Sequence, residues 1–308
     1  MLKYFALTAV LLQIQVGSVY ANSSDNNKRL KDKESYQLNF QKLKQGKPSL
    51  QAEVYYSQAE NKYQNEEYEG AILDLTQAIK IDPKYADAYR LRGLSRSILG
   101  DKQGTMLDFT QIIKINPNDS DAYRWRGISR SYLGDNQGAI VDLNQAIKIN
   151  PNDSDAYRSR GTIRSDLGDK QGAIVDLNQA IKINPNDLYA YSSRGTIRFD
   201  LGDNQGAIVD LNQAIKINPN NAMSYSTRAL IRFRLGDGQG AIVDSTQAIK
   251  LNPNDAMSYR VRGTIRLGLG DKQGAIVDST QAANFFLQQG DMGSYLEVLE
   301  DIRRIQGR

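Results

Sequence analysis

Arginine recurs in pairs along this chain, with the two members four positions apart and successive pairs 34 positions apart. The first members are Arg92, Arg126, Arg160, Arg194, Arg228 and Arg262, and the second members are Arg96, Arg130, Arg164, Arg198, Arg232 and Arg266. Residues four apart share one face of a helix, so each pair presents two guanidinium groups on the same side. Because a guanidinium group can bind carboxylate or phosphate through two hydrogen bonds, the pairs could bind an acidic ligand or form internal ion pairs.

An aspartate series with the same period favours the internal ion pairs. A residue that recurs in every unit serves something that every unit needs, and a buried arginine without a partner is costly. We therefore predict a structural ladder between the first arginines and Asp108, Asp142, Asp176, Asp210, Asp244 and Asp278, with Asp74 as a seventh, earlier member. Twelve arginines face seven aspartates, so about five arginines need other acceptors, such as helix C-terminal carbonyls. For the second arginines, packing and ligand binding both remain open.

Composition excludes most catalytic chemistry. The chain has no cysteine and no histidine, which removes thiol nucleophiles, imidazole bases, disulfides and the commonest metal ligands. Outside the repeating pattern, acidic residues cluster only near the two ends of the repeats, at Glu66-Glu67 and at Glu297, Glu300 and Asp301. We predict a protein that is not an enzyme and that holds no cofactor and no metal.

The net charge of +4 is unevenly distributed. Lys3 contributes +1, residues 22–50 contribute +4 through seven basic and three acidic side chains, and the rest of the chain carries −1. A nucleic-acid partner is therefore not expected, because phosphate binding needs a basic stripe on the folded part.

The N-terminus has the features of an export signal. Lys3 precedes a mostly apolar stretch over residues 4–17, and Val19-Tyr20-Ala21 is suited to signal cleavage. We predict a signal peptide at residues 1–21, a polar basic linker at 22–49, and a periplasmic or extracellular protein without a membrane span after cleavage. The alternative is an uncleaved N-terminus, which would make the protein an envelope-anchored assembly factor.

The chain is built from internal repeats. The segment GAIVDLNQAIKINPN occurs at 138–152, 172–186 and 206–220, and a looser version extends over residues 50–289 in seven units that begin near 52, 86, 120, 154, 188, 222 and 256. In the unit at 154–187, Asp153 and Asp169 are suited to cap helix starts, Gly168 to end the first helix and Pro185 to follow the second. The pattern predicts two helices of about 13 residues per unit. Because such a unit cannot bury its apolar face alone, we predict an all-α solenoid, a superhelix of stacked helix-turn-helix units.

The two ends depart from the pattern. The first unit has Glu66-Glu67 where later units have Gly-Asp. The proline after the last second helix is missing, so that helix should continue through Phe285, Phe286 and Leu287. Residues 290–308 should form a capping helix whose apolar face consists of Tyr295, Leu296, Leu299 and Ile302.

The unit resembles the tetratricopeptide repeat, whose pattern is W-x2-L-G-x2-Y, then A-x3-F, then P. The matching residues of the fourth unit are Tyr157, Arg160, Gly161, Arg164, Ala173, Leu177 and Pro185. The resemblance implies antiparallel helix pairs in a right-handed superhelix, with the first helices lining a concave groove where peptides dock. It also implies that the arginines occupy packing positions, where the family has Leu and Tyr.

Residues that differ between units are the better candidates for ligand binding. At the variable positions of the first helices, units two to four are charged or polar, whereas units five to seven offer aromatic residues and methionine, which adapt to apolar partners. We predict a groove for a protein or peptide segment with a polar or charged end and a bulky apolar end, formed by Arg90, Arg124, Arg158, Tyr189, Phe199, Met223, Phe233, Met257, Arg260 and Leu267. The alternative is that these side chains pack on neighbouring helices or on the chain's own termini. The oligomeric state stays open, because near-identical repeats can exchange between chains.

Overall fold

A computed structural model describes residues 48–307, which contain fifteen helices and no strand. The predicted all-α superhelix of helix-turn-helix repeats is confirmed. The predicted signal peptide and residues 22–47 of the predicted linker lie outside the described residues. The helices are α1 (Leu50–Gln64), α2 (Tyr68–Ile81), α3 (Ala86–Ile98), α4 (Lys102–Ile115), α5 (Ser120–Tyr132), α6 (Asn136–Ile149), α7 (Ser154–Asp166), α8 (Lys170–Ile183), α9 (Leu188–Asp200), α10 (Asn204–Ile217), α11 (Ala222–Arg234), α12 (Gly238–Leu251), α13 (Ala256–Gly268), α14 (Lys272–Gln288) and α15 (Met292–Ile305).

Short polar side chains and glycine set the helix ends. In unit four, the carboxylate of Asp153 accepts the backbone N–H of Ala156, and that of Asp169 accepts the N–H of Gly172. Gly168 ends α7 with a φ of 87°, a left-handed conformation that glycine adopts without steric cost. The same two caps and the same glycine recur in later units, so successive units fold alike.

The two helices of a unit approach closely where the first helix carries glycine. A Cβ at Gly161 would lie 3.1 Å from Cγ of Leu177 and 3.2 Å from the carbonyl oxygen of Ala173. Unit six has Ala229 instead, and Ser245 takes the place of the leucine. The smaller partner there makes room for the extra methyl group, as expected in a close-packed interior.

Unit seven lacks this compensation. It keeps glycine at Gly263 but has Ser279 in the leucine position, so less volume fills the space between α13 and α14. A cleft of about 410 Å³ lies there, bounded on its far side by Val298 and Ile305 of α15.

The capping helix forms, but one predicted contact is wrong. Tyr295, Leu299 and Ile302 pack on the core of unit seven, whereas Leu296 is 55% exposed and Val298 is buried in its place. α14 does continue through Phe285 to Leu287, as the missing proline predicts. The buried ring of Phe286 holds the cap to the last unit.

The first helices form the inner wall of the superhelix. Most successive first helices contact each other directly, whereas successive second helices of the described chain show no comparable contact. The side of each first helix that faces away from its second helix is called here the concave face. None of the described helices has both the length and the apolar character that crossing a bilayer requires.

Candidate functional site

Each ladder aspartate of units two to seven binds two arginines of its own unit. Asp176 of α8 is almost fully buried; Arg160 donates to both of its oxygens from Nε and Nη2 at 2.8 and 2.5 Å, and Nη1 of Arg164 donates to Oδ2 at 2.8 Å. The same arrangement occurs in units two to seven. A buried carboxylate is thus satisfied by charge-assisted bonds from both members of the pair.

The ladder leaves none of its twelve arginines unengaged. The expectation that about five arginines need other acceptors is wrong, because it assumed one arginine per carboxylate. The first unit follows a simpler version, in which Lys62 lies 2.7 Å from Asp74. Some first arginines also reach the preceding unit, as when Nη1 of Arg160 donates to Oδ1 of Asn144 at 2.6 Å.

The arginines predicted for the polar half of the groove bind the next unit. Arg90 donates to Asp119 at 2.5 Å, Arg124 to Asp153 at 3.1 Å and Arg158 to Asp187 at 3.0 Å. Each of these aspartates also caps the first helix of its own unit. The three guanidinium groups are therefore half-buried connectors between units, and an acidic ligand would have to compete with these carboxylates.

Serine hydroxyls make the corresponding connection in the second half of the array. Ser192 hydrogen-bonds Ser224 at 3.0 Å, and Ser226 hydrogen-bonds Ser258 at 2.9 Å. Ser224 and Ser258 donate in turn to the capping residues Asn221 and Asp255. Units two to five have alanine where Ser224 and Ser258 stand, so the two kinds of connector each need a matched pair of residues.

The predicted apolar half of the groove divides into exposed and packed residues. Tyr189 is 59% exposed, Met223 72%, Met257 49% and Leu267 39%. All four lie on the concave face of consecutive first helices, where they are open to a ligand.

Two predicted aromatic residues are half-buried between units instead. Cζ of Arg234 lies 4.6 Å from the ring centroid of Phe199, which is cation–π geometry. The ring of Phe233 packs against Gly268 so closely that no Cβ fits there. Both rings therefore form the floor of the groove between neighbouring units rather than free anchors.

Arg260 also has an internal partner. It donates to Glu297 of the capping helix at 2.9 Å and lines the cleft at the end of the array together with Leu267. This cleft prolongs the apolar half of the groove toward α15.

Acidic residues of the concave face were missed as site residues by the sequence reasoning. Glu60 in unit one, Asp166 in unit four and Asp200 in unit five are all exposed on it. The comparison of residues that differ between units did not include their positions, which lie nearer the C-terminal end of the first helix. Among the described residues, no cluster of acidic side chains has the arrangement of a metal site.

Two family models match this chain by sequence. A TPR repeat model matches residues 60–97 and 195–236, and a tetratricopeptide repeat model matches residues 125–187. These stretches are tetratricopeptide repeats. No curated protein sequence matches this chain significantly.

Solved structures share its fold at low sequence identity. A tetratricopeptide repeat protein from Parabacteroides merdae ATCC 43184 superposes with a TM-score of 0.65 at 20% identity, covering 84% of this chain and 99% of that one. The APC/C hetero-tetramer Cut9-Hcn1 gives a TM-score of 0.67 at 17% identity, covering 82% and 48%. Pseudomonas aeruginosa PilF gives 0.59 at 14% identity, covering 70% and 97%. These likenesses establish the superhelix, and tetratricopeptide repeats generally serve as scaffolds for protein–protein interaction.

Proposed function

We propose that this protein is a non-catalytic scaffold that binds a segment of a partner protein in the concave groove of units five to seven. The observation that carries the proposal is the exposure of Tyr189, Met223 and Met257, which occupy the same position in three consecutive first helices. Units two to four have aspartate at that position, namely Asp87, Asp121 and Asp155.

The exposed side chains are chemically suited to a protein partner. Contiguous apolar surface on a soluble protein marks interaction sites, and each large apolar side chain buried on binding contributes about 1.5–3 kcal/mol. Methionine can repack around partners of different shape, and tyrosine adds a polar group to a large apolar ring. Leu267 and the cleft beside Ser279 extend this surface by one further position.

We also propose that the protein acts after export, in the periplasm or outside the cell. The support is the composition of residues 1–21, in which one lysine precedes an apolar stretch and a cleavage-type ending. N-terminal sequencing of the protein recovered from fractionated cells tests this; a mature chain beginning at Asn22 is expected, and an intact Met1 in the cytosolic fraction would contradict it.

The groove is tested by exchanging residues between its halves. Tyr189→Asp, Met223→Asp and Met257→Asp together give units five to seven the residue that units two to four already have, so the fold should be retained. Peptides selected from a displayed random library on the unmodified protein serve as probes, with affinity measured by fluorescence polarisation. We expect the triple variant to bind them at least ~30-fold more weakly, because three apolar contacts are lost.

A matched control separates loss of the groove from added negative charge. Val175→Asp, Val209→Asp and Val243→Asp change three consecutive second helices at side chains that are 55–65% exposed. This control should bind the peptides like the unmodified protein. Equal weakening in both variants would contradict the proposed groove.

A further inference from the structure

Carboxylates line the concave face of units one to five. Asp121, Asp155 and Asp200 have side chains that are 55%, 49% and 45% exposed. The others are also exposed, and the complete set is Glu53, Glu60, Asp87, Asp121, Asp155, Asp166 and Asp200. All seven occupy helix positions that point away from the second helices, and hence into the groove.

The cations on this face are too few to neutralise it. Arg90, Arg124 and Arg158 are each bound to one of the capping aspartates Asp119, Asp153 and Asp187, which add three carboxylates to the seven. Arg124 and Arg158 bridge to Asp121 and Asp155 as well, and Lys170 pairs with Asp200 at 3.1 Å. Lys102 occupies the same position in unit two as Lys170 in unit four, and its Nζ lies 4.9 Å from the ring centroid of Tyr132. Five cations against ten carboxylates leave five negative charges on the concave side of these units.

The tyrosines at the start of the groove respond to this charge. Burial, followed by the carboxylates of Glu60 and Asp87, raises the pKa of Tyr56 above its usual range, while Arg90 opposes the shift. The pKa of Tyr85 is raised by burial, with Tyr56, Asp87, Glu53 and Glu60 contributing in the same direction. In both shifts the carboxylates of this face act in the same direction as burial.

We infer that the segment bound by this protein carries a basic stretch, which lies along units one to five next to the apolar stretch in units five to seven. This inference rests on the proposed function for its apolar half and adds the charge of the partner. It gives a sign to the polar or charged end predicted from the sequence, because Arg90, Arg124 and Arg158 already have carboxylate partners. A basic stretch would gain Coulomb attraction in a partly enclosed groove and would be steered into it at low ionic strength.

The inference is tested with probes that do not need the apolar half. Fluorescein-labelled decalysine and decaglutamate are titrated with the full chain at 50 and 300 mM salt. We expect decalysine to bind, decaglutamate not to bind, and the decalysine affinity to fall at least ~10-fold at the higher salt, as screening requires. Decalysine binding should persist in the variant with aspartate at positions 189, 223 and 257. A failure of the apolar groove would show in the selected peptides, whereas a failure of this inference would show as absent decalysine binding.

Two matched variants locate the binding surface. Glu60→Gln, Asp87→Asn and Asp166→Asn remove three charges from the concave face without touching any carboxylate that pairs with an arginine in the described residues. Glu66→Gln, Glu67→Gln and Glu69→Gln remove the same charge at the turn between α1 and α2 and in the first turn of α2. The first variant should weaken decalysine binding at least ~5-fold relative to the second, and equal weakening would overturn the inference.

The chain's own basic residues are the competing occupant. Residues 22–47 carry seven basic and three acidic side chains, so they have the same chemistry as the proposed partner. If they filled the face, Lys28→Ser, Arg29→Ser and Lys31→Ser together would raise the affinity for decalysine. Unchanged affinity supports a partner segment, and an increase of ~5-fold or more would assign the face to this chain instead.

Discussion

Arg158 of the fourth unit donates to Asp187, and Asp187 in turn caps the first helix of the fifth unit. The guanidinium bond is 3.0 Å long, and the cap accepts the backbone N–H of Ala190 at 3.1 Å. One carboxylate thus fixes both the start of a helix and its position against the preceding unit. In the second half of the array, paired serine hydroxyls connect the units instead. One kind of connector can therefore be replaced by the other through mutation.

Replacing one connector by the other should recover stability. Arg158→Ser alone leaves Asp187, which is 7% exposed, without its guanidinium partner, and should cost about 1–3 kcal/mol. Adding Ala190→Ser reproduces the pair formed by Ser192 and Ser224, so the double variant should be about 0.5–1.5 kcal/mol more stable than the sum of the single changes predicts. Urea unfolding of all four chains measures this coupling. Strict additivity would show that the hydroxyl pair does not replace the ion pair.

Removing the charge of one ladder aspartate should destabilise its unit. Asp176→Asn leaves Arg160 and Arg164 facing a neutral side chain at a nearly fully buried site, with an expected cost on the order of 3 kcal/mol. The control is Asp166→Asn, an exposed change in the same unit that should stay within about 0.5 kcal/mol. The amide hydrogen exchange rates of α7 and α8 measure the loss of stability within this unit. A local measurement is needed because the units of such an array are coupled mainly to their neighbours. Similar exchange rates in both variants would contradict the role of the paired arginines.

The contact at Gly161 should be sensitive to a single methyl group. Gly161→Ala brings a Cβ within 3.1 Å of Leu177 and 3.2 Å of a carbonyl oxygen, and should cost about 1–3 kcal/mol. Combined with Leu177→Ser it recreates the pair of unit six, so the double variant should be at least about 0.5 kcal/mol more stable than the two separate losses predict. Thermal unfolding of the single and double variants measures this. If the double variant loses as much stability as the two single variants together, the smaller side chain at position 177 does not make room for the added methyl group.

The capping helix should weaken in acid. The backbone N–H and the hydroxyl of Ser294 are the main causes that lower the pKa of Asp291 below the ordinary value of 3.8. Because the folded pKa lies below the unfolded one, the cap stabilises α15 above pH ~4, and this contribution is lost as the pH falls through the folded pKa. The protection of the α15 amides, which is their intrinsic exchange rate divided by the observed rate, should therefore fall more between pH 5 and 3 in the unmodified protein than in Asp291→Asn, which caps without titrating. If α15 loses protection equally in both chains as the pH falls, titration of Asp291 is not the cause of the acid sensitivity.

Local sequence signals predicted the helices well. Asp153, Gly168, Asp169 and Pro185 mark the limits of α7 and α8 within a few residues, because caps and helix breakers act through their own backbone. The missing proline likewise predicted the extension of α14 through Phe286. These features need no knowledge of the neighbouring unit.

Contacts between helices could not be predicted in the same way. That Asp176 accepts two arginines depends on the distance between α7 and α8, which spacing along one helix does not give. Phe199 and Phe233 occupy positions of the concave face, yet the next unit covers part of each ring. Arg158 and Asp187 are 29 residues apart in the sequence. The sequence signal for their contact is that serine replaces both arginine and alanine at the matching positions of the next junction, Ser192 and Ser224.

The shared connector makes units two to four interchangeable. After each of them, the aspartate that caps the next unit accepts an arginine from it, so excising or duplicating a whole 34-residue unit within this stretch restores the same junction. Unit six has the same property, because it carries Ser224 toward unit five and Ser226 toward unit seven, whereas duplicating unit five would place Ser192 opposite Ala190. Changes in the length of this protein, whether in related genes or by design, are therefore expected to add or remove units two to four or unit six, and not to duplicate unit five.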